Sequence, residues 1–383
     1  MVNVPPKVKE TKGYDELRRL KNHLRDDYKS LKCKTGSKVK TNASRIRDYL
    51  ERERLTESQK KEIYESIVNN NASLTDLNDF SDDSPLVSII IINRNGLKHL
   101  RRLFRNFKEN VQYPNYEILV VDNASKDRSI AFLEDISDDL PMKVIKNMDN
   151  ESFSCANNRA AELAEGKYLL LLNNDVEPTY GWLNQMMYTA LNSEDTGAVG
   201  AKLVYPDCSQ SRLNKNKSFK VQHRGIAFRE EEGFIKPYNM SNGKGFEAEG
   251  NDEPRAAVTA AALLVEKEKY FHVGGMDEGY IYGYEDVDLC LKLLNEGYMN
   301  LYCPKALLFH YEFGTQEKNK NNDVRERRLN NKKLFMEKWN KWLRKKLLMD
   351  KMNCDLLFSE KPLKVAFAVT ETGENTSAGD YFT

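Results

Sequence analysis

LVSIIII (86–92), followed at once by Asn93-Arg94-Asn95, decides the fold. The run is far too short to cross a membrane. It shows no apolar–polar alternation, as a strand covered on both faces of a parallel sheet requires. YEILVVD (116–122), MKVIKN (142–147) and KYLLLLNND (167–175) repeat the pattern, and the segments 97–110, 126–136 and 154–165 between them read as helices. Strands and helices alternating at this spacing imply right-handed βαβ units, hence a doubly wound, Rossmann-like α/β sheet, mostly parallel and flanked by helices. Ligands bind such sheets beyond the carboxyl ends of the strands. The first strand ends in Asn93-Arg94-Asn95, the second in Asp122-Asn123-Ala124-Ser125 and the fourth in Asn173-Asn174-Asp175. One Asp after a buried strand is usually a helix cap; amides and acids at three neighbouring strand ends suit a nucleotide's base, ribose and phosphates.

No G-x-G-x-x-G follows the first strand and no G-x-x-x-x-G-K-[ST] occurs, which disfavours a dinucleotide dehydrogenase and a P-loop NTPase. Without a glycine-rich phosphate cradle, a hard divalent cation becomes the natural neutraliser of a diphosphate, and Asp175 can supply it an oxygen. Further on, GGMDEGYIYGYEDVDLCLKLLNEGY (274–298) places Glu285, Asp286 and Asp288 at a helix start. Capping of the helix dipole would explain acids there, but the preceding Gly- and Tyr-rich stretch suits a backbone held close to a sugar. His310 follows the strand reading MNLYCP (299–304) and could reach the same mouth.

The rest of the chain bounds the answer. Its 383 residues carry 59 basic and 58 acidic side chains, so nothing draws it to nucleic acid. Six scattered cysteines (33, 155, 208, 290, 303 and 354) form no C-x-x-C pair, which fits free thiols in a reducing cytosol. No signal-peptide core opens the sequence. The expected location is cytoplasmic, with contact to the inner face of the plasma membrane as an option. Residues 1–82 are polar, with helix-compatible spacing at 14–31 and 46–69 and Thr56 as an N-cap; they read as a helical appendage, a packing or oligomerisation arm. SDDSP (81–85) is a turn cluster opening the α/β domain, which extends over 83–315. Within it 205–256 is long, polar and Gly/Asn-rich: a lid, a substrate loop or disorder. Arg212, His223 and Arg224 lie in it without an evident role. Residues 316–361 form a basic helical extension. Its segment 325–348 repeats Phe335, Trp339, Trp342 and Leu343 at helical spacing. Docking by that aromatic face is the favoured reading, and a membrane-surface helix the alternative.

VSIIIINRNG, ILVVDNASKD, ESFSCANNRAAELAEGKYLLLLNNDVEP, TAAALLVEKEKYFHVGGMDEGYIYGYEDVDLCLKLLNEGY and YCPKALLFHYEFGT occur in that order. Together they resemble family 2 of the inverting glycosyltransferases, which have the GT-A fold, and within it the bacterial rhamnosyltransferase-like enzymes of cell-surface polysaccharide assembly. The resemblance covers residues 84–315. It implies that Asn173-Asn174-Asp175 stands where the family has D-x-D, with Asp175 the metal-contacting acid for Mn²⁺ or Mg²⁺. Asp122 and Asn123 match the pair contacting base and ribose. Asn93 matches the nucleotide-contacting end of the first strand, and Asn158 an asparagine near the diphosphate. Glu285-Asp286 matches the pair whose Asp is the catalytic base, and His310 a metal-ligating histidine of some members.

The implied partners are a UDP- or dTDP-linked sugar donor and a glycan, lipid-linked or protein-linked acceptor, with a homo-oligomer as a further expectation. Two other readings stand beside this one: a catalytically silent GT-A-like binding module, and a nucleotidyltransferase, for which NRNG (93–96) is a poor signature loop. The tail 362–383 is similar to the opening of family 4 GT-B glycosyltransferases, and suggests a fragment of a longer two-enzyme polypeptide.

Overall fold

The computed structural model describes residues 57–74, 80–208, 217–231, 233–245, 250–281, 283–311, 322–353 and 356–361. The chain divides into two compact units, 1–61 and 62–383. Thr56, Arg212 and the tail 362–383 lie outside the described residues. The elements are α1 (Glu57–Leu74), β1 (Val87–Asn93), α2 (Leu97–Leu103), α3 (Phe107–Asn110), β2 (Tyr116–Asp122), α4 (Ser129–Ile136), β3 (Met142–Lys146), α5 (Phe153–Leu163), β4 (Tyr168–Asn173), β5 (Val176–Pro178), α6 (Trp182–Leu191), β6 (Thr196–Val204), β7 (Val221–His223), β8 (Ile226–Glu231), β9 (Phe234–Asn239), β10 (Glu253–Pro254), β11 (Ala262–Glu266), α7 (Lys267–His272), α8 (Glu285–Asn295), β12 (Met299–His310) and α9 (Asn322–Asn353).

The fold is α/β, as the strand–helix alternation implies. A ten-stranded sheet runs β10-β12-β6-β11-β4-β1-β2-β3, with β5 on β12 and β7 on β6. β1, β2, β3 and β4 pair in parallel, and so do β6 and β12. β1 shows why its sequence lacks alternation. Val87, Ile89 and Ile91 enter one apolar layer with Leu100, Phe107 and Trp182. Ile90 enters the layer on the other face with Ala156, Leu263 and Leu289. Each fully buried Ile contributes about 1.5–3 kcal/mol, whichever face it points to. Asn93 and Asp122 are register partners at the strand ends, so the sheet itself brings these two predicted site residues together.

Several elements differ from the sequence expectation. The helix expected over 97–110 is two helices, broken at Phe104, whose amide closes on Leu100; the break lets Phe107 reach Tyr116 and Trp182. β11 runs antiparallel between β4 and β6, which an apolar run cannot announce because its composition carries no direction. α6 and β6 are invisible to apolar spacing: β6 reads TGAVGAKLV yet is buried throughout. A Cβ on its Gly200 would lie 2.4 Å from Val258 Cβ, so only glycine allows this close approach. The stretch 205–256 holds β7, the antiparallel β8–β9 hairpin and β10. The last strand runs on from 304 to His310, with a register irregularity between Cys303 and Leu307. His310 is therefore the final residue of a strand, paired with Val176, and not part of a following turn.

α9 docks by its aromatic face, the favoured reading. Phe335 and Leu343 are fully buried, Trp339 and Leu347 nearly so. No helix among the described residues is long and apolar enough to cross a membrane.

Candidate active site

The strand ends carry one connected polar network. Asn93 Nδ2 donates to Asp122 Oδ2 at 2.9 Å, and Asn93 Oδ1 accepts from Asn174 Nδ2 at 2.8 Å. Asp122 Oδ1 accepts from the Ser125 amide at 2.8 Å. Asn93 and Asp122 are fully buried, so these bonds spare them the cost of unpaired polar groups. Gly96 is locked in by the same network: a Cβ there would lie 2.3 Å from Asn93 Oδ1 and 2.5 Å from Asn174 Nδ2. Asn123, nearly buried, donates to Glu151 O at 3.1 Å and accepts from Asn147 Nδ2 at 2.6 Å.

Asn158 does not join this cluster. Its Oδ1 accepts from Tyr270 OH at 2.6 Å and the Met276 amide at 2.9 Å. Its Nδ2 donates to Met276 O at 2.8 Å and Glu278 Oε1 at 3.0 Å. With both ends engaged, the side chain holds the 275–278 turn. The sequence position of Asn158, on α5 just past the third strand, gave no sign of that distant partner.

Asp175 follows β4 and meets the end of β12. His310 Nε2 lies 3.1 Å from Asp175 Oδ1 and 3.4 Å from Asn173 Nδ2, and His310 Nδ1 lies 2.7 Å from Gln222 Oε1. Burial pushes the Asp175 carboxyl up, but the charge and hydrogen bond of His310 outweigh it and hold it below the usual range. His99, on the first turn of α2, is a further neighbour that sequence reasoning passed over. Burial pushes its imidazole down against the pull of Asp175, and its Nδ1 is buried with no hydrogen-bond partner among the described residues.

A cation fits here chemically. An imidazole nitrogen, a carboxylate and amide oxygens are ligands that Mn²⁺ or Mg²⁺ accept. No group of three His, Cys, Asp or Glu is close enough to hold a metal among the described residues. Two protein ligands suit an ion whose remaining positions go to water and a diphosphate.

Glu285 and Asp286 open α8 beside the same strands. The chain enters α8 through Gly283 (φ 93) and Tyr284 (φ 76), two successive left-handed residues. Asp286 Oδ2 accepts from the Ala260 amide at 3.1 Å, and Oδ1 from the Val287 amide at 2.9 Å. The neighbouring residue Ala261 accepts, through its carbonyl, the Asn173 amide at 3.1 Å. One backbone hydrogen bond and one from a backbone amide to the Asp286 carboxylate thus connect the Asp175 strand end, through the 259–261 segment, to Asp286. Burial lifts the Asp286 carboxyl above the usual carboxylate range, and the Ala260 amide, the Thr259 side chain and the Val287 amide offset this only in part.

Glu285 is 8% exposed, and its Oε2 has no partner among the described residues. Burial and then the Asp286 charge push its pKa up to about 8. Burial raises both carboxyls of this coupled pair, and the donors on Asp286 favour its charged form over that of Glu285, so Asp286 is the first of the two to give up its proton. Folded Glu285 keeps a proton from 4.5, its ordinary value, up to about 8, so the folded state binds more protons than the unfolded chain in that window. The associated stability is full below 4.5 and is lost as pH rises through about 8, at roughly 1.4 kcal/mol per pH unit. Glu285→Gln removes that slope. Thermal unfolding at pH 5 and pH 8 checks it: the variant should lose clearly less melting temperature than wild type across the interval, and parallel losses would contradict the buried-proton assignment.

Asp288, the third acid, faces away from the mouth. It is fully buried. Trp339 Nε1 donates to its Oδ1 at 2.8 Å, and Lys338 Nζ lies 2.6 Å from the same oxygen. It anchors α9. That helix in turn holds the entry to α8: Asn331 Nδ2 donates to Gly283 O at 3.0 Å, and Asn331 Oδ1 accepts from the Ile281 amide at 3.2 Å.

The segment 205–256 supplies side chains that sequence reasoning could not place. Arg224 pairs with Glu253 of β10 at 2.5 Å. His223 Nδ1 lies 2.8 Å from Asn239 Oδ1, and its Nε2 accepts from the Thr259 amide at 3.4 Å. Burial lowers the His223 pKa to about 4, so this fully buried ring is neutral and acts as a prop for the 259–261 segment.

The chain is similar to known proteins over much of this region. The model of glycosyl transferase family 2 matches residues 88–249. The chain is 30% identical over 249 residues to the uncharacterized protein y4gI of Sinorhizobium fredii, covering 60% of this chain and 25% of that one. It is 30% identical over 236 residues to the O-antigen biosynthesis protein RfbC of Myxococcus xanthus, covering 60% and 17% respectively. The chain thus spans a quarter or less of the length of these relatives. Among solved structures it is similar to the mannosyltransferase PcManGT of Pyrobaculum calidifontis in complex with GDP-Man and Mn²⁺. That match has 16% identity and a TM-score of 0.46, over 70% of this chain and 71% of that one.

Proposed function

From the match of residues 88–249 to the model of glycosyl transferase family 2, we propose that the chain moves a sugar from a nucleoside diphosphate sugar, UDP- or dTDP-linked, to an acceptor hydroxyl with inversion at the anomeric carbon. The observation that carries this reading is the short path from Asp175 to the acid pair: Asn173 to Ala261, and Ala260 to Asp286. A diphosphate-binding end and a proton acceptor then share one rim. Asp175 and His310 would hold a divalent cation, which when bound neutralises the diphosphate as a Lewis acid. Asn173 and the strand-end network of Asn93, Asp122, Asn123 and Asn174 shape the floor on which the nucleotide lies. Asp286 takes the acceptor hydroxyl proton as that oxygen bonds to the anomeric carbon and the bond to the diphosphate oxygen breaks. Glu285, keeping its own proton, leaves the negative charge on Asp286 and next to the developing oxocarbenium-like centre.

The O-antigen name of one relative supports a glycan or lipid-linked acceptor in surface polysaccharide assembly. A panel of nucleotide sugars, scored by nucleotide release with and without Mn²⁺, tests the reading; no release from any donor would favour the silent binding module, which the single acid in Asn173-Asn174-Asp175 also fits. Asp175→Ala should weaken Mn²⁺ and donor binding together, by about tenfold or more. Calorimetry of a UDP-sugar in the presence of Mn²⁺ checks this, and unchanged donor affinity would remove Asp175 from the cation site.

A further inference from the structure

We propose that Gln222 is a positioning residue that fixes the tautomer of His310 and so prepares its Nε2 lone pair for the cation it shares with Asp175. This rests on the cation-binding role given above to Asp175 and His310. β7 pairs antiparallel with β6, His223 opposite Leu203 and Val221 opposite Val204, with the register slipping between Leu203 and Val204. Gln222 is thus the extra residue of a β-bulge, a device that re-aims a side chain next to a functional site. It is 2% exposed, and its Oε1 sits 2.7 Å from His310 Nδ1.

An amide oxygen can only accept, so Nδ1 carries the proton and donates it. The other ring nitrogen, Nε2, lies 3.1 Å from Asp175 Oδ1; without a cation the charged ring donates Nε2–H there, and a cation that displaces this proton meets the Nε2 lone pair. Once that proton has left, Nε2 and Asp175 Oδ1 are two acceptors at a distance that a cation between them makes favourable. Asn173 Nδ2, at 3.4 Å from Nε2, is the neutral donor on that side. Holding the far nitrogen of a metal-ligating imidazole with an acceptor is how outer partners orient the ring and raise its basicity. The opposite amide orientation, Gln222 donating to Nδ1 with Nε2–H on Asp175, would close the site to a cation. The two states have different spectra.

The test uses the full chain with ring-¹⁵N histidine. Two-bond ¹H–¹⁵N spectra in the presence of Mg²⁺ read the tautomer of His310, assigned with His310→Gln. Mn²⁺ titration followed by electron paramagnetic resonance compares wild type with Gln222→Met and Gln222→Glu. The expected result is a His310 ring protonated at Nδ1, a loss of Mn²⁺ affinity of about 10–100-fold in Gln222→Met, and wild-type affinity or better in Gln222→Glu, which keeps an accepting oxygen. An Nε2–H ring with Mg²⁺ present overturns the proposal. So does equal Mn²⁺ affinity in wild type and Gln222→Met, or an equal loss in both variants. Absence of Mn²⁺ binding by wild type itself would instead sink the cation role of Asp175 and His310, and Gln222 with it. The wild-type spectrum needs no variant to fold.

Discussion

Asp286→Asn should lower the rate of sugar transfer by about 10²–10⁴ while leaving nucleotide binding close to normal. The size follows from removing the group proposed to take the acceptor proton, with nothing adjacent to replace it. Glu285 holds its proton up to about 8 and so cannot serve as base at neutral pH. Asparagine fills the same space but has one accepting oxygen where aspartate uses two, one for the Ala260 amide and one for the Val287 amide. One of those amides loses its partner, at a cost of about 1–3 kcal/mol, so thermal unfolding must show that the variant is folded before rates are compared. The ends of β1, β2 and β4 proposed to face the nucleotide do not contain this residue, and donor affinity measured by calorimetry should stay within a few-fold of wild type. A transfer rate also within a few-fold of wild type would end the assignment of Asp286 as base.

How far the sequence foretold this molecule depends on the range of the interactions involved. β1 to β4 were legible because burial on both faces leaves a local mark, an apolar run. That Asn93 and Asp122 lie together was legible because parallel register places strand ends side by side. What escaped was set by partners far along the chain. β6, with its glycines and alanines, is a strand because Val258 packs against Gly200, and no local feature records that. Asn158 was expected near a diphosphate, yet its amide is occupied by Met276, 118 residues away. Gln222 was hidden in a polar stretch and is meaningful only because a bulge aims it at a histidine 88 residues on. Of the three acids at the start of α8 the sequence could not say which turned inward; Asp288 does, because α9 brings Trp339 and Lys338 to it.

Phe335→Ala should cost about 3–5 kcal/mol of stability, a large share of the 5–15 kcal/mol typical of a whole domain, and should also impair transfer in the molecules that remain folded. The ring is fully buried, stacked on Phe228 at 6.5 Å and tilted against Tyr284 at 4.8 Å. Tyr284 holds a left-handed backbone (φ 76) immediately before Glu285, a conformation that a non-glycine residue keeps only when its surroundings enforce it. A cavity behind its ring relaxes that constraint and loosens the carboxylates, while the nucleotide-facing strand ends keep their contacts. Leu343→Ala provides the control. Leu343 is equally buried on the same helix, about 12 Å further along its axis, and its loss should lower stability comparably without touching the turn into α8. Denaturant unfolding gives the two stability losses, and transfer per folded molecule, at a temperature well below both transitions, gives the second readout. Phe335→Ala should then transfer more slowly than Leu343→Ala at equal donor affinity. Equal specific activities would mean that α9 contributes only packing, and that the acid pair keeps its geometry without it.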